Sequence, residues 1–249
     1  MNRRQLSTFQ SPKDHAKSPK FKVVMHECEY LHLCCWILKE EHLETGGDLF
    51  GLWADEETAV IQLVLGPGRK CRRTSVSFYQ DIEYLSVIGS HLTSKEGICH
   101  IGEWHSHHQL GLFEPSGGDE STVWDNMPAY HLQRFLLFIA NIEHNNTYGI
   151  TATVSCFLFE IDLKTGKKKP VIKGQFELIG SESPVRLKLQ SDDNPVYEEF
   201  SQMCECENAI DDLRKLKLEQ TKKFVYRKMA LVGARKQENK RRGKPKAKK

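Results

Sequence analysis

Glu103-Trp-His-Ser-His-His-Gln-Leu-Gly-Leu-Phe-Glu-Pro-Ser-Gly-Gly-Asp119 is the stretch on which the reading of this chain turns. The apolar run Gly97-Ile-Cys-His-Ile-Gly102 leads into it as a strand would. If the strand continues, His105 and His107 place both imidazoles on one side and His108 points to the other, because strand side chains alternate. Neutral imidazoles and a carboxylate are ligands that zinc accepts, and a catalytic zinc keeps three protein ligands and one open position. Asp119, reached through a loop containing Gly111, Pro115, Gly117 and Gly118, can return as the third ligand. Ser116 and Asp119 also have the spacing of a helix N-terminus, with Ser116 as cap and Asp119 in the first turn. A lone His-x-His is often only a polar loop, so the pair gains its meaning from the residues around it.

The segment that adds most lies upstream, at Glu44-Thr-Gly-Gly-Asp-Leu-Phe-Gly51. Together the two stretches resemble the JAMM (MPN-plus, JAB-type) metalloprotease family of ubiquitin and ubiquitin-like isopeptidases. That family's pattern is a distant Glu followed by Gly-Gly-x-Leu-x-Gly, then His-Ser-His, then Ser-x-x-Asp. Each typed residue is present, over a region of roughly residues 21 to 180. In one respect the chain departs from the pattern. Eight residues, His108 to Pro115, separate His107 from Ser116, one more than in the family. Loops absorb such insertions at little thermodynamic cost, and Gly111 permits unusual backbone angles there.

The resemblance implies a cytidine-deaminase-like MPN/JAB domain binding one Zn2+ per chain through His105, His107 and Asp119. It implies Glu44 as a general base that is not itself a ligand, and Ser116 as a hydrogen-bond donor to the oxyanion. The implied substrates are conjugates of ubiquitin or a ubiquitin-like protein, cleaved at a lysine isopeptide bond. Taken alone, Glu44 would read as a solvated helix-end carboxylate. The family also contains scaffolds that have lost ligands, whereas this chain keeps all five positions.

Bulk composition is that of an ordinary globular protein: 249 residues, 39% hydrophobic and 28% charged. This is enough for one domain of about 150 residues plus extensions. No apolar run approaches the ~20 residues of a membrane span, and the N-terminus lacks an apolar signal region, so we expect a cytoplasmic or nuclear protein without a membrane partner. The eight cysteines form no Cys-x-x-Cys pair, which argues against a four-cysteine zinc site. Charge is unevenly spread. Residues 1–20 carry +4 and 235–249 carry +8; against a total of +3 this leaves −9 for 21–234.

Periodicity predicts a strand from Phe21, a helix over Tyr30–His42 ending near Glu44, and a hairpin of Asp48–Trp53 with Ala59–Leu65. A helix over Asp81–Leu92, the histidine strand, a helix from Ser116 to Met127 and strands at Phe135–Ala140, Ile150–Ile161 and Pro170–Ile179 follow. This β-α-β-β-α-β-α-β-β-β order gives an α/β (α+β) fold, a mixed central sheet flanked by helices. Residues 1–20 read as a disordered leader and 21–180 as the domain. Residues 195–232 read as an amphipathic helical extension that could meet a partner subunit. Residues 233–249 read as a basic disordered tail suited to nuclear import or nucleic-acid contact. A non-catalytic scaffold or nucleic-acid-associated protein is the competing reading.

Overall fold

A computed structural model describes residues 21–145, 149–180, 182–191 and 194. The leader, the 195–232 extension and the basic tail lie outside the described residues. The elements are β1 (Lys22–His26), α1 (Glu27–Lys39), β2 (Gly46–Trp53), β3 (Thr58–Val64), β4 (Arg72–Arg73), β5 (Phe78–Tyr79) and α2 (Ile82–His91). A π-helical turn, Leu92–Glu96, precedes β6 (Cys99–Ser106), α3 (Gly117–Ala129), β7 (Arg134–Asn145), β8 (Gly149–Glu160), β9 (Ile172–Lys173), β10 (Gln175–Ile179) and α4 (Pro184–Leu189).

Eight strands form one mixed sheet in the order β10-β1-β3-β2-β6-β7-β8-β9, and β4 with β5 makes a separate hairpin. The mixed sheet flanked by helices is the architecture that the element order leads one to expect. Helix α1 is apolar on nearly every side from Leu33 to Leu38, the pattern of a helix inside a core rather than on a surface. It packs against β1, β3, β7, β8 and β10, so the sheet wraps around it.

The wrap is closed by a change of partner. The expected strand Pro170–Ile179 splits at Gly174: β9 pairs with β8, and β10 runs parallel to β1. The Gly174 N–H donates to Cys156 and the Gln175 N–H to Phe21, so two consecutive amides join opposite ends of the sheet. A Cβ at Gly174 would press on both Cys156 and Phe21 at 2.8 Å.

Strands β7 and β8 carry buried apolar residues on both faces. Leu136, Phe138, Cys156 and Leu158 face the core around α1, whereas Leu137, Ile139, Phe157 and Phe159 pack beneath α3 with Val123 and Trp124. Helix α3 is thereby fixed on the first half of β7, with its N-terminus beside the C-terminal end of β6.

Helix α1 differs from its expected bounds, beginning at Glu27 and stopping at Lys39. Glu44 is not a helix-end residue, because its N–H bonds to the Thr74 carbonyl at 2.8 Å. Helix α4 seals β3 through a buried ion pair. Arg186 donates from Nε to Glu29 Oε1 (2.7 Å), and from Nη2 to Glu29 Oε2 (2.9 Å) and the Val64 carbonyl (2.8 Å). Glu29 Oε2 in turn accepts the Val64 N–H at 2.8 Å. Among the described residues no helix is long and apolar enough to cross a membrane.

Removing one partner of such a pair leaves an uncompensated buried charge, which typically costs about 3–5 kcal/mol. Arg186→Ala should therefore lower unfolding stability by that amount in urea denaturation, and a loss under about 1 kcal/mol would show the pair to be dispensable.

Candidate metal centre

The site sits where β6 ends. Gly46 lies opposite His105 and Gly47 opposite Trp104, while His105 and Ser106 run parallel to Ile139 and Ala140 of β7. A crevice at the carboxyl ends of parallel strands is the usual ligand position of open α/β sheets. Both glycines are required by close approach. A Cβ at Gly47 would strike the Leu65 carbonyl and the Trp104 indole, and one at Gly46 would strike the Phe78 ring. Trp104 is core, stacked on Trp36 at 6.0 Å and donating from Nε1 to Leu65 O at 2.9 Å.

The alternation of β6, carried one residue past its end at Ser106, puts His105 and His107 on one side, with their Nε2 atoms 3.2 Å apart. Asp119 reaches both: Oδ1 lies 3.3 Å from His105 Nε2 and Oδ2 lies 3.4 Å from His107 Nε2. Asp119 is carried there by a capping box. The Ser116 hydroxyl accepts the Asp119 N–H (3.2 Å), and Asp119 Oδ2 accepts the Ser116 N–H (2.6 Å). Beyond His107 the chain turns. His108 adopts φ 37° and sends its Nε2 to the Ser75 carbonyl at 3.0 Å, away from the pair.

The three ligand atoms lie within 4.8 Å of one another, and the donor set fits a metal ion. His107 Nδ1 faces the Leu112 carbonyl at 2.9 Å, an acceptor only, so Nδ1 carries a proton; in the neutral ring Nε2 then presents a lone pair to a metal, whereas without a metal Asp119 favours the protonated ring. A bare imidazole nitrogen, a second imidazole and a carboxylate converging on one point leave a gap that a divalent cation satisfies.

Glu44 and Ser116 border the same cleft of about 450 Å³ as His105 and Asp119. Glu44 is held from both sides. Its own N–H is bound to Thr74, and the next residue, Thr45, exchanges hydrogen bonds with Ser106: Thr45 N to Ser106 Oγ (3.1 Å) and Ser106 N to Thr45 O (2.7 Å).

Charge is perturbed throughout. Burial pushes the Glu44 carboxyl above its ordinary value, opposed in part by His105 and His107. Burial would also raise Asp119, but hydrogen bonds from His105 and His107 overrule it and hold the carboxyl far below the carboxylate range. For His107, burial favours the neutral ring, yet Asp119 and the Leu112 carbonyl bring the net shift upward.

Several contributors were not legible in the sequence. Asn141, fully buried, donates from Nδ2 to the same Leu112 carbonyl at 2.8 Å and so fixes the acceptor that orients His107. Its signal is a polar residue ending the apolar run Phe135–Ala140, since a buried amide needs a partner. At the far end of the cleft Asp48 pairs with His100 (3.1 Å) and takes a hydrogen bond from Gln80, beside Glu103, whose carboxyl burial pushes up.

No protein-family model matches the chain. Over 79 residues it is 38% identical to the probable metalloprotease y4qB of Sinorhizobium fredii, a match covering 31% of this chain. That alignment spans 48% of the relative, about half its length. In structure, the chain is similar to protein DSY2949 from Desulfitobacterium hafniense, with a TM-score of 0.46 and 17% identity, over 64% of this chain and 94% of that one.

Two measurements test the centre. His105→Ala and His107→Ala should each lose the metal, and His108→Ala should retain close to one equivalent per chain by elemental analysis. Equal loss from all three would mean that the centre is built otherwise. In metal-free protein Asp119, with its depressed folded pKa, contributes stability that is present above the ordinary carboxylate value of ~3.9 and lost as pH falls through its folded value. His107, with its raised folded pKa, contributes stability that is full below ~6.5 and lost as pH rises through its folded value. Asp119→Asn should therefore flatten both flanks of the stability–pH curve from urea denaturation; a curve unchanged in shape would contradict the ion-pair assignment.

Proposed function

We propose that this chain is a zinc-dependent isopeptidase of the JAMM type, on an MPN/JAB domain, hydrolysing the bond between ubiquitin or a ubiquitin-like modifier and a lysine. One observation carries the reading. Glu44, some sixty residues upstream, shares one cleft with His105, Ser116 and Asp119, and His107 completes the cluster with His105 and Asp119. The resemblance to a probable metalloprotease supports the hydrolase class.

A bound zinc would supply Lewis acidity toward the scissile carbonyl and lower the pKa of water at the open position to about 7. The chain's own residues do the rest. Glu44, its carboxyl raised by burial above its ordinary value, takes a proton from the attacking water. It returns that proton to the lysine nitrogen as the C–N bond breaks, which makes the amine a viable leaving group. The Ser116 oxygen already accepts the Asp119 N–H, so its O–H remains to donate to the oxyanion; loss of one such donor typically costs ~2.7–4 kcal/mol of barrier. The Asn141–Leu112–His107 chain holds the imidazole in register.

Within this reading the 195–232 segment is a site for a partner subunit, and the basic tail serves nuclear import or nucleic-acid contact. Glu44→Gln should keep the metal and the fold while abolishing cleavage of a ubiquitin-type conjugate, because a base is lost and no ligand is. Parent-rate cleavage by the purified variant would remove the base assignment. Metal bound by parent protein that cleaves no member of a ubiquitin-family conjugate panel would instead favour a scaffold. Deleting 236–249 should leave cleavage of a small conjugate unchanged while reducing nuclear accumulation or salt-sensitive nucleic-acid binding. If neither property changes, the tail has neither role.

A further inference from the structure

We propose that His108 is a positioning residue that latches the β4–β5 hairpin across the cleft and so sets the shape of the substrate channel. The hairpin is too small to hold itself. Its strands are two residues each, and two-stranded hairpins are marginal even at greater length. Its place therefore depends on tethers, among them four between described residues. The Thr74 carbonyl accepts the Glu44 N–H (2.8 Å), and Arg73 Nε donates to Thr45 Oγ1 (3.3 Å). The Phe78 ring lies against the bare face of Gly46. The fourth, His108 Nε2 to the Ser75 carbonyl, alone reaches the hairpin from the side of the metal-site histidines.

The first three tethers end on residues 44–46; His108 adds a hold on the turn from the other side, at Ser75. Its ring springs from a fixed base, because the His108 carbonyl accepts the Ile142 N–H (2.7 Å) and the His107 N–H donates to Ala140 (2.8 Å). Ser75 O can only accept, so His108 Nε2 carries the proton. The backbone records a cost: φ 37° lies in the left-handed region, which non-glycine residues occupy at a penalty, kept only where the surroundings over-determine it. The imidazole, 9% exposed, is therefore committed to this bond.

What the latch controls is the cleft wall. Val76, Ser77, Phe78 and Tyr79 line the cleft, and Val76 and Tyr79 remain 74% and 51% exposed, offered to whatever chain lies in it. The latch itself follows from geometry alone; its effect on turnover rests on the isopeptidase reading above.

The test uses the full-length chain and two variants. His108→Gly suits the backbone angle and removes the donor. His108→Gln carries an amide nitrogen that reaches about as far as Nε2. In His108→Gly, hydrogen exchange of amides in residues 72–79 should quicken about 3- to 10-fold, the equivalent of one hydrogen bond of about 1 kcal/mol. Exchange in β6 and β7 should stay at parent rates, with about one metal per chain retained. His108→Gln should recover part of the protection. Hairpin exchange within twofold of parent, or a rise shared equally by β6 and β7, would overturn the latch. On a ubiquitin-type conjugate the Gly variant should raise KM several-fold with kcat near parent, since a binding wall is loosened and the reacting groups are not; a fall in kcat at unchanged KM would overturn the positioning role. If parent protein cleaves no conjugate, the isopeptidase reading fails while the exchange result still decides the latch.

Discussion

Asp119 is asked to do two things at once, and the architecture follows from that demand. Its carboxylate must accept the Ser116 N–H at the start of α3 and also lie within 3.4 Å of two imidazoles at the end of β6. One side chain can meet both only if α3 begins beside the last residues of β6, with its first turn aimed at the strand end. The packing of Val123, Trp124 and Met127 onto Phe157 and Phe159 holds α3 at that position. The helix N-terminus adds its own field, since exposed N–H groups favour a negative charge in the first turn. The capping box thus stabilises the helix and the cluster together, and a substitution at Ser116 would loosen both.

The opposite side of the cleft is built by exclusion of side chains. Phe78 reaches the end of β6 only because Gly46 is bare, and the Trp104 indole finds the Leu65 carbonyl only because Gly47 is bare. These contacts bring residues 44–47 against the histidine strand, so Glu44 enters the cleft from a strand start rather than a helix end. The Ser106 hydroxyl, between the two histidines but turned to the other face, completes the attachment by capturing the Thr45 N–H. The serine of His-Ser-His is a fastener for the Glu44 segment.

The sequence carried most of the strand and helix order because burial there leaves local marks: α1 is apolar from Leu33 to Leu38, and β6 alternates. It also carried the cluster, since His-x-His on a strand and Ser-x-x-Asp at a helix start are local patterns whose geometry is set within a few residues. What it did not carry was set by distant partners. The placement of Glu44 after α1 depends on Thr74, thirty residues further on. The break at Gly174 depends on Cys156 and Phe21, and the orientation of His107 on Asn141, which meets it only through the Leu112 carbonyl. Nothing in the basic run Arg69–Arg73 announces a hairpin, yet Arg73 reaches Thr45 and Arg72 lies 4.8 Å from the Tyr79 ring. Residue types there were informative about charge and silent about the hairpin they build.

Electrostatics gives the last reason to regard the cleft as a cation site. Four carboxylates border it, from Glu44, Asp48, Glu103 and Asp119, and among the described residues lining it none is Lys or Arg. Asp48 has His100 and Gln80, and Asp119 has the two imidazoles and a helix N-terminus. Glu44 and Glu103 have weaker compensation, and burial drives both carboxyls upward, which is how a low-dielectric site lowers its own negative charge. A divalent ion among His105, His107 and Asp119 would relieve the same imbalance and draw the Glu44 carboxyl back down. Metal loading and the proton affinity of Glu44 are therefore coupled, the more tightly because none of the lining groups is a fixed cation.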